Sequence, residues 1–291
     1  MPSKETARLD VRKTYKLYVG GAFPRSESGR SYVVNDAKGK FLANASKASR
    51  KDARDAVVAA RKAFGGWSAK TAYNRGQILY RIAEVMEGRH EQFSAEVAAS
   101  EGIAIGKARA LVDASIDRWV WYAGWTDKIA QIVGSSNPVA GPYFDFSLPE
   151  ASGVIAVLAP QDSSLLGLTS VIAPVIASGN TAVVVTSYER PLPAITLGEV
   201  MATSDLPGGV VNLLTGSASE IAPWLASHLD VNGIDLAGID NSVEARELEA
   251  AAAENLKRVR RPGYEDWTAD QGISRLTQFL EVKTVWHPIG I

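Results

Sequence analysis

The segment Ala159-Pro160-Gln161-Asp162-Ser163-Ser164 gathers a carboxylate, an amide and two hydroxyls directly after an apolar run, Val154-Ile155-Ala156-Val157-Leu158. Groups on a loop between a buried strand and a helix can act on a bound molecule, with Asp162 as a general base or Ser163 or Ser164 as a nucleophile. Each also has a plainer reading. Aspartate and serine at such a junction cap the helix by accepting its first free N–H groups. A serine nucleophile needs a base beside it, and nothing in the sequence places a histidine there. A second turn, Leu236-Ala237-Gly238-Ile239-Asp240, adds another carboxylate after another apolar run. The chain has no cysteine, and its three histidines, His90, His228 and His287, are widely scattered. Thiolate nucleophiles, disulfides and thiolate metal sites are excluded, and no metal site is expected.

At 291 residues the chain is long enough for one large domain or two modest ones. Thirty-one basic side chains against 32 acidic ones leave a formal charge of -1, without the basic excess that a nucleic-acid binder shows. The stretch from Ser163 to Tyr188 carries no charged side chain and is long enough to span a bilayer. Pro174 and the Ser178-Gly179-Asn180 cluster divide it, so it reads as a buried helix, a turn and a strand. The N-terminus has no apolar core for a secretory leader. The expectation is a cytoplasmic chain that contacts neither nucleic acid nor membrane.

The elements that must position these loops follow from periodicity. Lys16 to Gly21 reads as a short strand closed by a glycine turn. Helical spacing marks Lys51 to Phe64, then Ile78 to Met86, and a long helix from about Lys107 to Val133 whose aromatics Trp119, Trp121, Tyr122 and Trp125 form a core stripe. From Gly153 the pattern alternates. Apolar runs at 154–158, 181–185, 210–214 and 233–236 are separated by helical segments at 165–176, 193–203 and 219–227. Four strands joined by helices predict an α/β fold with a parallel, Rossmann-like sheet. Tyr143 to Ser147 and Val282 to Trp286 read as strands outside that sheet, each needing a partner. Ala269 to Phe279 allows a helix, and Arg258 to Thr268, broken by Pro262 and Gly263, reads as linker.

Several stretches resemble the aldehyde dehydrogenase superfamily: Val19-Gly20-Gly21, Ala59 to Phe64 with Trp67, Tyr122 to Lys128, Gly179-Asn180-Thr181, Leu206 to Asn212, Asn255 to Val259, and Glu281 to Trp286 at the far end. Their order and spacing follow the family to about Val259. There the family enters its catalytic domain, whereas this chain runs through a short linker to the family's terminal strand. The resemblance therefore implies an internal deletion that removes the nucleophilic cysteine and the general-base glutamate. It also implies a particular organisation. Residues 1–135 (helical) and 153–259 (Rossmann-like sheet) form one domain, 136–152 with 270–291 an oligomerisation arm, and 260–269 the linker in place of the catalytic domain. The cysteine-less second module of family-sixteen aldehyde dehydrogenases is similar in lineage.

The same resemblance implies a degenerate cofactor cleft at Pro160, Gln161, Asp162, Val185, Tyr188, Gly238 and Ile239. Asp162 stands where the family has the oxyanion-hole asparagine, and a carboxylate there repels a developing oxyanion. Val185 and Tyr188 replace the lysine and glutamate that hold the adenosine ribose. Around Gly238 and Ile239 the serine and second glycine of the phosphate turn are absent, and Asp240 adds negative charge. Hydrogen bonds to charged groups are worth about 1.5–3 kcal/mol each. Losing two or three weakens binding on the order of a thousand-fold. No cofactor is expected, or NAD only weakly.

In the family, the hairpin and the C-terminal strand add to the catalytic-domain sheet of a neighbour. The implied function is a non-catalytic pseudoenzyme subunit of a full-length aldehyde dehydrogenase, or a homo-oligomer through the same arm. The alternatives are residual NAD(P)-linked oxidoreductase activity, site completion in trans, or a different ligand in a cleft made acidic by Asp162 and Asp240.

Overall fold

Alternating strands and helices from Gly153 onward build a single parallel sheet, described with the rest of the chain over residues 12–290 of a computed structural model. Before the sheet come strands β1 (Thr14–Tyr15), β2 (Ser31–Asn35) and β3 (Phe41–Ser46). Helices α1 (Arg50–Ser68), α2 (Ala72–Glu87), α3 (His90–Glu101), α4 (Ile105–Trp125) and α5 (Ile129–Val133) follow, then the hairpin β4 (Ser135–Asn137) and β5 (Tyr143–Ala151). The sheet region runs β6 (Val154–Leu158), α6 (Leu166–Ala177), β7 (Thr181–Val185), α7 (Leu192–Met201), β8 (Val211–Leu214), α8 (Ala218–Ser227), β9 (Gly233–Asp235), α9 (Ser242–Ala253) and β10 (Arg258–Arg260). Helix α10 (Ser274–Thr277) and strand β11 (Leu280–Pro288) close the described chain.

The sheet order is β10-β9-β6-β7-β8, all parallel, so the expected strands are joined by a fifth. The chain moves outward from β6 to β8, then returns to the other side of β6 through α8. Both faces are covered at the centre of the sheet, which is why β6 and β7 read as near-continuous apolar runs. Ile155 and Val157 point into one core with α2, α3, α4, α6 and α7. Val154, Ala156 and Leu158 point into the other with α1, α8 and α9.

The structure departs from the sequence reading in several places. The part before residue 135 is not all helix: β1, β3 and β2 form a three-stranded sheet. The Lys16–Gly21 run contributes only isolated bridges: Val19 with Ala22, and Tyr18 with Leu213, whose backbones exchange hydrogen bonds of 3.0 and 2.7 Å at the edge of β8. The expected long helix stops at Trp125 and restarts at Ile129. Its aromatics are core as expected, with Trp119 and Tyr122 fully buried. The 269–279 helix shrinks to α10. The expected linker is anchored: Arg260 ends β10, and Trp267 packs against the first core.

The two strands that needed partners find each other. β11 pairs with β5 antiparallel over nine residues, Leu280 opposite Ala151 through Pro288 opposite Tyr143, and β4 flanks β5 on its other side. Among the described residues no helix is long and apolar enough to cross a membrane.

Candidate functional site

The loops after β6 and β9 leave the sheet at neighbouring positions but continue in opposite directions, one to β7 and one to β10. In open α/β sheets such a switch point opens the crevice in which ligands bind. It brings together Gln161, Asp162, Ala237 and Asp240, with Arg190 from the loop after β7. The remaining wall is the segment after β10: Gly263, Tyr264, Glu265 and Trp267. The cavity they enclose is about 330 Å³, at the small end for a ligand site.

The expected cleft residues divide. Gln161 does not face outward. Its side-chain amide donates to the Ala159 carbonyl at 2.7 Å, and its Oε1 accepts from the Tyr188 N–H at 3.0 Å. The Gln161 carbonyl accepts from the Ser187 hydroxyl at 3.1 Å, so one residue laces two crevice loops together. Asp162 is exposed; Arg190 donates to its backbone carbonyl at 2.6 Å. The N-cap of α6 is Leu165, without a side-chain cap bond; of the residues expected to cap, Ser163 satisfies a first-turn donor, its Oγ accepting from the Gly167 N–H at 2.8 Å. Ser164 is engaged too, donating through both its N–H and its hydroxyl to Glu101. Pro160 is buried.

Val185 lies outside the cleft. It is fully buried in the second core, because a five-residue strand covered on both faces leaves no side chain free. Tyr188 stacks on Tyr32, rings 4.6 Å apart and 6° from parallel, and its carbonyl accepts from the Tyr32 hydroxyl at 3.1 Å. Burial, with Tyr188 and Glu189 nearby, raises the Tyr32 phenol above its ordinary value. Gly238 and Ile239 are buried as well. Gly238 donates to the Leu158 carbonyl at 2.8 Å, and a Cβ there would lie 2.7 Å from the Ala159 carbonyl carbon. Its glycine is required by backbone lying against backbone.

The adenosine-side positions are a core valine and a stacked tyrosine. At the N-terminus of α9, Asn241 already accepts the Val243 and Glu244 N–H groups that a phosphate would take. Among the described residues no cluster of three histidine or carboxylate side chains could hold a metal ion.

Sequence reasoning missed the charged groups beneath the cavity. Arg275 is 4% exposed and Asp235, the last residue of β9, is 1% exposed; they meet at 2.5 Å. The Arg275 fork also donates to Glu265 at 2.6 and 2.9 Å, and its guanidinium lies 5.2 Å over the Trp267 ring. Glu265 accepts from Arg260 at 3.0 Å. Arg118, 7% exposed in the aromatic stripe of α4, donates to the Trp267 carbonyl at 2.8 Å, to the Ala269 carbonyl at 3.1 Å, and to Ser170. Burial pushes the Asp235 carboxyl upward against the pull of Arg275. Burial alone would lower Arg275, but Asp235 and Glu265 more than offset it and hold it charged. Burial also lifts the Tyr122 phenol to about 12, opposed by Arg275 and Arg118. The available signal was a charge inside an apolar pattern, since buried charges demand partners. Asp235 and Arg118 both gave it.

The aldehyde dehydrogenase family model matches residues 23–261. The chain is 32% identical over 264 residues to cytosolic 10-formyltetrahydrofolate dehydrogenase of Mus musculus, covering 88% of this chain and 29% of that protein. It is 35% identical over 265 residues to retinal dehydrogenase 2 of Gallus gallus, covering 87% and 49%. Among solved structures, the NAD+ complex of an aldehyde dehydrogenase from Bacillus cereus superposes with a TM-score of 0.80 at 25% identity, over 85% of this chain and 50% of that one. The structure of PnpE with nicotinamide adenine dinucleotide gives a TM-score of 0.80 at 30% identity, over 84% and 50%. The chain thus spans about half of the retinal dehydrogenase and less than a third of the formyltetrahydrofolate enzyme. On its sequence, its sheet and its switch-point loops, the chain belongs to the aldehyde dehydrogenase family.

Proposed function

We propose that this chain is a cytoplasmic, non-catalytic aldehyde dehydrogenase-like subunit that joins a full-length aldehyde dehydrogenase by strand addition. The observation that carries this reading is the arm. β11 is paired with β5 on one side, and among the described residues no strand pairs with its outer edge. Val282 and Trp286 on β11, with Tyr143, Phe144 and Leu148 on β5, are exposed apolar side chains. An open edge with apolar flanks recruits another strand, and main-chain hydrogen bonds then supply affinity. The chemistry supports the same reading: the chain has no cysteine, and of the positions expected to hold the ribose, Val185 is in the core and Tyr188 is stacked on Tyr32.

The test is to tag the chain at native level in its own host, purify it gently and measure the mass of the complex. A defined complex with a cysteine-containing full-length aldehyde dehydrogenase is the expected result. A homo-oligomer would keep the arm as an interface and remove the accessory role. NADH production from an aldehyde by the purified chain would overturn the non-catalytic part and favour residual activity.

A further inference from the structure

The switch-point crevice is covered from outside by the chain itself. Residues 261–273 leave β10 at the sheet edge and pass the crevice, where Gly263, Tyr264, Glu265 and Trp267 form one wall. They then reach α4, where Arg118 holds the Trp267 and Ala269 carbonyls. Arg275 secures the far end. Its three donor nitrogens are all engaged, Nη1 by Asp235 and the other two by Glu265. Beyond it Leu276 is 1% exposed and Phe279 2% exposed, and the Phe279 carbonyl accepts from the Asn180 amide at 2.9 Å. Gly233 in β9 leaves room for that ring, since a Cβ there would lie 2.7 Å from the Phe279 Cδ1.

We infer that residues 261–279 are a built-in seal that walls one side of the ligand crevice of the sheet and keeps a nucleotide or a second domain from that end. This goes beyond the subunit reading and does not depend on it, because the open edge of β11 and the crevice are separate surfaces. A loose cover would be held by exposed pairs worth little individually. This one is held by two arginines less than a tenth exposed and by apolar side chains that belong to the first core. Its opening should therefore be part of global unfolding rather than a local event.

The absence of cysteine makes the test clean, because a lone introduced thiol is the sole reporter. Leu276→Cys reports the seal and Val183→Cys, in β7, reports the sheet. Thiol labelling of each is followed against urea in the full chain, alongside each variant's own global unfolding by circular dichroism. The expected result is that both thiols label only through global unfolding, with the same urea dependence, and that millimolar NADH changes neither rate. In an Arg118→Met background the Leu276→Cys labelling rate at a fixed urea concentration should rise about ten- to hundred-fold, the loss of a charged hydrogen-bond donor. Labelling of Leu276→Cys a hundred-fold faster than global unfolding in the otherwise native chain would show a mobile cover and overturn the seal. NADH-dependent protection would do the same, by showing that the crevice still takes a nucleotide. No effect of Arg118→Met would overturn the assignment of Arg118 as an anchor. If a variant is unstable, the comparison with its own unfolding still decides between local and global opening.

Discussion

Replacing Arg275 by methionine should cost roughly a third of this protein's stability, and the cost should depend on pH in a specified direction. The Arg275 and Asp235 side chains are 4% and 2% exposed, so neither can turn to water when its partner is lost. Breaking a buried ion pair on one side costs about 3–5 kcal/mol, because the other charge stays buried and unpaired. Domains are stable by only about 5–15 kcal/mol. Burial already raises the Asp235 carboxyl, and without Arg275 it rises further. A raised folded-state pKa means that the native state holds a proton more tightly than the unfolded chain. The associated stability is present below the unfolded value and is lost as pH rises through the folded value. The Arg275→Met deficit should therefore be full in alkaline solution and shrink as pH falls toward the ordinary carboxylate range. Asp235→Asn keeps the acceptor for the Ala237 N–H, 3.0 Å away, while removing the stranded charge. Added to Arg275→Met it should recover most of the loss, leaving a coupling energy of at least about 2 kcal/mol in the double-mutant cycle. Urea unfolding of the four proteins between pH 5 and 9 measures all of this. An Arg275→Met protein within about 1 kcal/mol of wild type at every pH, or no rescue by Asp235→Asn, would refute the claim that this pair secures the segment.

Three further outcomes are expected. Gly238→Ala should destabilise by about 1–3 kcal/mol or more in thermal unfolding, since the added carbon meets the Ala159 and Leu158 carbonyls and backbone cannot rotate away. Burial raises the Glu96 carboxyl, whose Oε2 has no hydrogen-bond partner among the described residues, against hydrogen bonds from Thr196, Gln92 and Tyr15 to the carboxylate. By the same sign rule, wild type should lose stability relative to Glu96→Gln as pH rises from 4 to 8; a pH-independent difference would show that Glu96 titrates normally. Trp286→Lys should abolish assembly through the arm, measured as mass in solution, while changing monomer stability by about 1 kcal/mol or less, because Trp286 is 57% exposed and rests mainly on the edge of Tyr143.

Much of the fold was legible because its signals are local. Val154 to Leu158 and Thr181 to Val185 are short, β-branched and bounded by turns, and burial on both faces leaves few other ways to place them. The edge strand β10 was not legible. Arg258-Val259-Arg260 alternates charge with one apolar residue, and only pairing with β9 makes it a strand. The break in the long helix at Thr126 was hidden for a similar reason, since residues on both sides keep helical spacing.

The sequence by itself determined the doubly wound class, the family, the absence of a thiol nucleophile, and the two loops that meet at the crevice. The first and third rest on residue identity and on spacing within elements; the family and the meeting of the two loops rest on the resemblance carried by motifs along the chain. Only the tertiary structure decided what the loops do there. It turned Gln161 inward as a brace, placed Val185 in the core, left Asp162 exposed, and joined β5 to β11. It also joined Asp235 to Arg275 and Glu265, and set Arg118 under the Trp267 and Ala269 carbonyls. A buried charge in a sequence announces that it needs a partner; for Asp235 that partner lies 40 positions away, and only folding sets the contact.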